Sequence, residues 1–143
     1  ARLIRTAREV NDDKPHRVVA QVARLAERFK APTIACLGIT YKPDVDDVRE
    51  SPALEIVAAI ARLEGAQVLV VEPNLAVLPP VLASLPNVRH VASDEARAEA
   101  DIVAVLVGHR QFRRIEADSF LMKAVVDTTG MFATRKARAV ERD

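Results

Sequence analysis

Thr33-Ile34-Ala35-Cys36-Leu37-Gly38-Ile39-Thr40-Tyr41-Lys42-Pro43-Asp44-Val45-Asp46-Asp47-Val48-Arg49-Glu50-Ser51-Pro52 reads as a strand, a long charged loop and the start of a helix. Thr33 to Leu37 is apolar without alternation, the pattern of a strand covered on both faces. Gly38 permits a sharp exit or a close approach of backbone to ligand. Ser51-Pro52 supplies an N-cap followed by a first helical residue that needs no N–H. Ala53, Ile56, Val57, Ile60 and Leu63 then place one apolar stripe on a helix over 52–64.

The same alternation repeats downstream. Apolar or β-branched runs at 66–71, 88–91, 102–106 and 124–127 predict further strands. Helices are predicted between them at about 75–84, at 93–100 with Ser93 as cap, and at 110–122. Such alternation needs right-handed crossovers and a parallel sheet with helices on both faces. The predicted fold class is α/β, a doubly wound Rossmann-like parallel sheet of about five strands. Gly108 and Gly130 also follow strands, and Gly65 stands where a helix should end. Ligands of open parallel sheets bind beyond the carboxyl ends of the strands, so the loops after Leu37, Val71, Leu106 and Asp127 are the places to look for function.

Upstream, residues 2–29 read as mostly helical, with Leu3, Ile4, Ala7 and Val10 on one stripe and Val18, Val22, Leu25 and Phe29 on a second. Between the stripes, Asn11-Asp12-Asp13-Lys14-Pro15 predicts a kink or restart, with Asp12 or Asp13 as cap and Pro15 in the first turn.

Composition narrows the class. The 143 residues suit one domain, and 50% hydrophobic with 29% charged residues excludes a disordered chain. No apolar stretch is long enough to cross a bilayer, so no membrane partner is expected. Basic residues number 21 against 20 acidic, and a net charge of +1 is too small for non-specific nucleic-acid binding. A single cysteine excludes a disulfide framework, and with no signal-peptide pattern a reducing, cytoplasmic setting is expected. His16, His90 and His109 lack metal-ligand spacing, so no metal site is expected. The chain begins at Ala1 and enters helical periodicity at once, as a piece of a longer protein would.

The loop after the first strand carries the most chemistry. It has the lone Gly38 where a dinucleotide-binding turn would read G-x-G-x-x-G. Lys42 and Arg49 bracket it instead, an arrangement suited to a phosphorylated ligand. The alternative is a solvated loop in which Asp44, Asp46 and Asp47 simply pair with those two cations.

Leu37 to Ala53, L-G-I-T-Y-K-P-D-V-D-D-V-R-E-S-P-A, resembles the signature that opens the carboxy-terminal, UDP-binding domain of the UDP-glucose/GDP-mannose dehydrogenase family. The resemblance continues through Val70-Val71-Glu72-Pro73, through the strand at 102–106 with Gly108-His109 and Phe112, and through Val126-Asp127-Thr128-Thr129-Gly130. Ile4 to Asp12 is similar to the end of the long helix joining the family's two nucleotide-binding-like domains, in wording most like the UDP-N-acetylmannosamine dehydrogenase branch. The resemblance implies that residues 1–31 end a central linker and dimerisation helix and that 32–143 form a nucleotide-sugar-binding domain. It also implies an enzyme that uses NAD to oxidise the C6 alcohol of a UDP-sugar, UDP-N-acetylmannosamine or UDP-glucose, to a carboxylate. The family's NAD domain and catalytic cysteine belong to the upstream part, so this chain contains no catalytic residue and should be inactive alone.

Residue by residue, the resemblance puts Tyr41 and Lys42 against the UDP-sugar and Arg49 against the NAD. Many relatives carry a basic, substrate-contacting residue where this chain has Thr129. A homodimer or higher homo-oligomer is implied, with the stripe of the 2–12 helix seeking cover on the domain or on a second copy. The competing reading is a non-catalytic Rossmann-like interaction or regulatory module whose charged loop meets a protein partner.

Other residues read more plainly. Cys36, inside the first strand, is expected to be a buried core thiol. Glu72 reads as a turn carboxylate before Pro73, His109 as a loop or helix-start histidine, and Arg135-Lys136-Ala137-Arg138 as part of a solvated terminal helix.

Overall fold

Five apolar runs become five parallel strands in the computed structural model, which describes residues 2–114 and 123–131. They are β1 (Thr33–Leu37), β2 (Gln67–Val71), β3 (Val88–His90), β4 (Ile102–Val105) and β5 (Ala124–Asp127), in the order β3-β2-β1-β4-β5. Leu37 pairs with Val71 on one side and with Val105 on the other, so the three central strands end at one level. That level is where the order reverses direction, the crevice in which this architecture binds ligands.

Strand periodicity sorts the core into two layers. Ile34, Cys36, Val68, Val70, Ile102 and Ala104 face α1 (Arg2–Ala26), α2 (Pro52–Ala61) and α3 (Pro80–Ala83), where Val18, Val22, Ile56, Val57, Ile60 and Leu82 are buried. Ala35, Leu37, Leu69, Val71, Val103 and Val105 face α4 (Ser93–Glu99) and a single 3-10 segment at Arg110–Arg114, which contribute Ala96 and Phe112. Both faces are covered, which explains the unbroken apolarity of β1 and β4. Full burial of each branched side chain contributes about 1.5–3 kcal/mol before entropy is set against it.

Gly38 is required by packing at the strand exit. Its φ is +88°, and a Cβ there would lie 2.6 Å from Val107 Cβ. The close approach here is between the exits of β1 and β4.

Several boundaries differ from the sequence reading. Helix α1 continues through Pro15, so no new helix starts at 11–15. Proline costs that turn one hydrogen bond, and the turns that follow are anchored by buried Val18 and Val22. Helix α2 ends at Ala61, short of 64, with the Arg62 amide closing its last turn onto Ala59 and Ile60 carbonyls. The predicted helix at 75–84 shrinks to Pro80–Ala83. Residues before proline are steered out of the helical region, so Leu78-Pro79-Pro80 postpones the start. In α4 the cap position belongs to Ala92, and Ser93 is the first helical residue with no capping side chain. Of the predicted helix at 110–122, only the 3-10 segment is described; 115–122 and the basic run at 135–138 lie outside the described residues. Among the described residues, no helix is long and apolar enough to cross a membrane.

Candidate functional site

The loop from Gly38 to Ser51 is held at its root by buried polar atoms. The Ile39 amide donates to Glu72 Oε1 at 2.9 Å, and the Ser51 hydroxyl donates to the carbonyls of Ile39 (2.8 Å) and Thr40 (3.1 Å). Ser51 thus occupies the N-cap position of α2 without capping it by its side chain. Its hydroxyl staples the end of the loop to the beginning. The Tyr41 amide donates to the Asp47 carbonyl at 2.7 Å, and the Thr40 hydroxyl to the Lys42 carbonyl at 2.9 Å. Asp44 and Glu50 have φ of 65° and 58°. A non-glycine residue pays roughly 1–2 kcal/mol for that conformation. At Asp44 two contacts offset it: its amide donates to His109 Nδ1 at 2.9 Å and its Oδ1 accepts from the Arg110 amide at 2.8 Å.

Glu72 and His109, read from sequence as a turn carboxylate and a loop histidine, are instead 1% and 0% exposed and in contact. His109 Nε2 lies 2.9 Å from Glu72 Oε1 and 3.2 Å from Thr40 Oγ1. The Asp44 amide can only donate, so His109 Nδ1 must accept; the proton of the ring then sits on Nε2 and faces Glu72. The Asn74 amide donates to Glu72 Oε2 at 3.0 Å, so three donors surround the carboxylate. Burial by itself pushes the Glu72 carboxyl up, but the hydrogen bonds from His109 and from the amides of Ile39 and Asn74 outweigh it and hold the carboxyl below its usual range. A buried charge is tolerated only when it is solvated by the protein in this way.

Above this network opens a cleft of about 730 Å³, lined by Lys14, Tyr41, Lys42, Arg113, Thr128 and Thr129 among others. Its volume falls in the range of small-molecule sites. Tyr41 is 55% exposed and lies next to Lys42 on the rim. Among the described residues lining the cleft there are three cations and no carboxylate, so an anion is favoured there. Thr129 adds a hydroxyl whose oxygen lies 2.6 Å from Asp127 Oδ1.

Arg49 is elsewhere. Its side chain is 87% exposed and forks onto Asp47, with Nε 3.1 Å from Oδ1 and Nη2 2.9 Å from Oδ2. That fork, with the Arg49 amide, brings the Asp47 carboxyl down to about 2. The pairing expected between the three aspartates and the two cations therefore holds for Asp47 with Arg49. Among the described residues, Lys42 and Asp46 take part in no ion pair, and Asp44 is used by the Arg110 amide.

No dinucleotide cradle forms after β1. The Gly38 amide is spent on the Val71 carbonyl, that of Ile39 on Glu72 and that of Tyr41 on Asp47, and Gly38 itself packs on Val107. Glu72, which stands where such domains hold a ribose, points into the network. The residues of this turn do not fit NAD. Cys36 is fully buried, and burial pushes its thiol up to about 12, far from a nucleophile. Among the described residues, no group of His, Cys, Asp and Glu is arranged to hold a metal ion.

The sequence reading named Tyr41 and Lys42, which the structure places in the lining of the cleft, and did not anticipate Glu72, His109, Thr40 and Ser51 as a unit, nor Lys14 and Arg113 in that lining. A signal was available. In this strand order β2 and β4 both flank β1, so polar residues just past Val71 and Val105 converge on the β1 loop.

Comparison with known proteins places this arrangement. The family model described as the UDP binding domain of the UDP-glucose/GDP-mannose dehydrogenase family matches residues 35–136. An NDP-N-acetyl-D-galactosaminuronic acid dehydrogenase of Ralstonia nicotianae is 48% identical over 139 residues, covering 97% of this chain and 32% of the relative. A UDP-N-acetyl-D-mannosamine dehydrogenase of Campylobacter jejuni is 48% identical over 118 residues, 82% of this chain and 29% of the relative. The chain thus spans about a third of the length of these proteins. Among solved structures, the UDP-N-acetyl-mannosamine dehydrogenase of Staphylococcus aureus superposes with a TM-score of 0.72 at 28% identity, over 92% of this chain and 30% of that one.

Proposed function

This chain belongs to the UDP-glucose/GDP-mannose dehydrogenase family, as its UDP-binding domain, and from that premise we propose that it supplies the nucleotide-sugar subsite of an NAD-dependent UDP-sugar 6-dehydrogenase. The observation that carries the reading is the cation-lined cleft at the ends of the central strands, with Tyr41 and Lys42 on its rim. Lys42 is a compact point charge for a diphosphate, and the Tyr41 ring offers an apolar face with a polar tip to the base or sugar. Lys14 and Arg113 add positive charge to the same cleft, which Thr129 also lines. The substrate is a UDP-N-acetylhexosamine, since both of the relatives named above are dehydrogenases of N-acetylated sugars; UDP-N-acetylmannosamine is the first to try, with UDP-glucose as the comparison.

NAD would supply the hydride acceptor when bound. Its cradle is not built by this chain; what the chain offers it is Arg49, an exposed planar fork able to reach a phosphate held by a neighbouring domain. Residues 1–31 would belong to the connecting helical region and take part in homodimer or higher assembly. The reaction itself is proposed to use residues outside this chain.

Calorimetry with UDP on the full-length protein tests the reading. Lys42→Ala should weaken UDP by roughly 10- to 100-fold, the loss of one charge-assisted contact. Arg49→Ala should leave UDP binding unchanged and weaken NAD. Equal UDP isotherms for wild type and Lys42→Ala would contradict the assignment and favour a module whose charged loop meets a protein.

A further inference from the structure

The Glu72–His109 pair has no part in binding as described so far, yet it touches the loop that does. Glu72 follows β2, His109 follows β4, and Thr40 follows β1, so the network ties together the ends of the three central strands. From it a chain of bonds leads outward. Glu72 fixes the His109 ring through Nε2, and Nδ1 of that ring accepts the Asp44 amide. The Asn74 side chain, 3.4 Å from Nδ1, also donates to the Val45 carbonyl at 3.1 Å and accepts from Gln111 at 2.8 Å. The Thr40 hydroxyl, 3.2 Å from Nε2, donates to the Lys42 carbonyl. Tyr41 and Lys42 thus lie between two residues, Thr40 and Asp44, that both bond to one imidazole. Asp44 stands in a left-handed conformation that asparagine and aspartate tolerate better than most residues but do not prefer.

We propose that His109 is a positioning residue for nucleotide-sugar binding: held by Glu72 in its Nε2–H tautomer, it fixes the Asp44 turn and so presents Tyr41 and Lys42 to the cleft. The inference rests on the substrate role of those two residues proposed above. The ring never meets the ligand. It acts by keeping the loop in its binding shape before the ligand arrives, which removes an ordering cost from association.

Two amide substitutions separate the halves of the ring. In His109→Asn the side-chain oxygen falls near the position of Nδ1 and can accept the Asp44 amide, while the donor to Glu72 is lost. In His109→Gln the side-chain nitrogen falls near Nε2 and can donate to Glu72, while nothing accepts Asp44. In the full-length protein, UDP affinity by calorimetry should fall roughly tenfold in His109→Gln and stay within about threefold of wild type in His109→Asn. Thermal unfolding of both variants is measured alongside. A merely structural role predicts that affinity follows stability in both and ignores which bond survives.

Lys42→Ala is the control that separates the two claims. If it weakens UDP while both His109 variants bind like wild type, the positioning role is overturned and the substrate assignment stands. If Lys42→Ala binds UDP normally, the assignment itself fails. Should either His109 variant not fold, the wild-type protein still decides: long-range proton–nitrogen NMR should show a protonated Nε2 and a bare Nδ1 on His109, and the Asp44 amide should be protected from exchange. A proton on Nδ1, or a freely exchanging Asp44 amide, overturns the proposal.

Discussion

Between β1 and α2 the chain carries two cations on one loop, and their surroundings differ sharply: the Lys42 carbonyl accepts from buried Thr40, which touches the His109–Glu72 pair, whereas Arg49 lies in solvent and, among the described residues, is held by Asp47 two residues away. The first arrangement fixes where the backbone runs and leaves the ammonium, among the described residues, outside any ion pair. The second occupies the guanidinium and fixes nothing beyond its own turn. A shape built on buried bonds is ready for a ligand, while an exposed fork can exchange one carboxylate for another anion at little cost. On the proposed function, the same loop therefore pairs a preformed subsite with an adaptable arm.

The largest effect is expected at the buried end. Glu72→Gln keeps the shape but leaves one oxygen for three donors and turns an N–H toward one of them. Denaturant unfolding should show a loss of about 3 kcal/mol, since breaking a buried, charged network leaves its partners unsatisfied. The sign with pH follows from the lowered carboxyl. Its contribution is complete above the usual carboxylate range and disappears as pH falls through the lower folded value, so Glu72→Gln should also flatten the acid limb of the stability curve. Wild-type stability in this variant would mean that water already reaches the network.

Arg49→Ala should be nearly silent in unfolding experiments, with a midpoint matching wild type, because the pair it removes is solvated and screened. The carboxyl of Asp47 sits at about 2, below its unfolded value, so whatever the pair adds is present above the ordinary aspartate range and is lost as pH falls through about 2. A marked drop in stability for Arg49→Ala at neutral pH would erase the contrast between the two ends of the loop.

How much of this could be read from sequence follows the same division. Strand runs such as Ile34 to Leu37 and Ile102 to Val105 are continuous and apolar because both faces are covered, and continuity is visible in one dimension. Tyr41 and Lys42 lie in a long, distinctive run, so their resemblance to a family was legible. Glu72 and His109 are single polar residues 37 positions apart, and nothing local marks them as partners until the strand order is known. Ser51 carried a correct positional signal with a different chemical outcome, because its hydroxyl turns inward to two carbonyls within reach. Pro15 and the Pro79-Pro80 pair show the limit of local rules from both sides. The first does not interrupt its helix, and the second shortens the helix predicted at about 75–84.

The central claim is that a nucleotide sugar enters beside Lys42, and a competing groove of about 450 Å³ beside Glu72, His90, Ser93 and Gln111, with no Lys or Arg among its described lining residues, offers the alternative. A crystal structure of the full-length protein with UDP decides between them. The account predicts the diphosphate within hydrogen-bond reach of Lys42 Nζ, in the cleft between Tyr41-Lys42 and Thr128-Thr129-Gly130, with the Glu72–His109 contact unchanged. UDP seated in the groove beside His90 and Gln111, or bound away from Lys42 altogether, would contradict it.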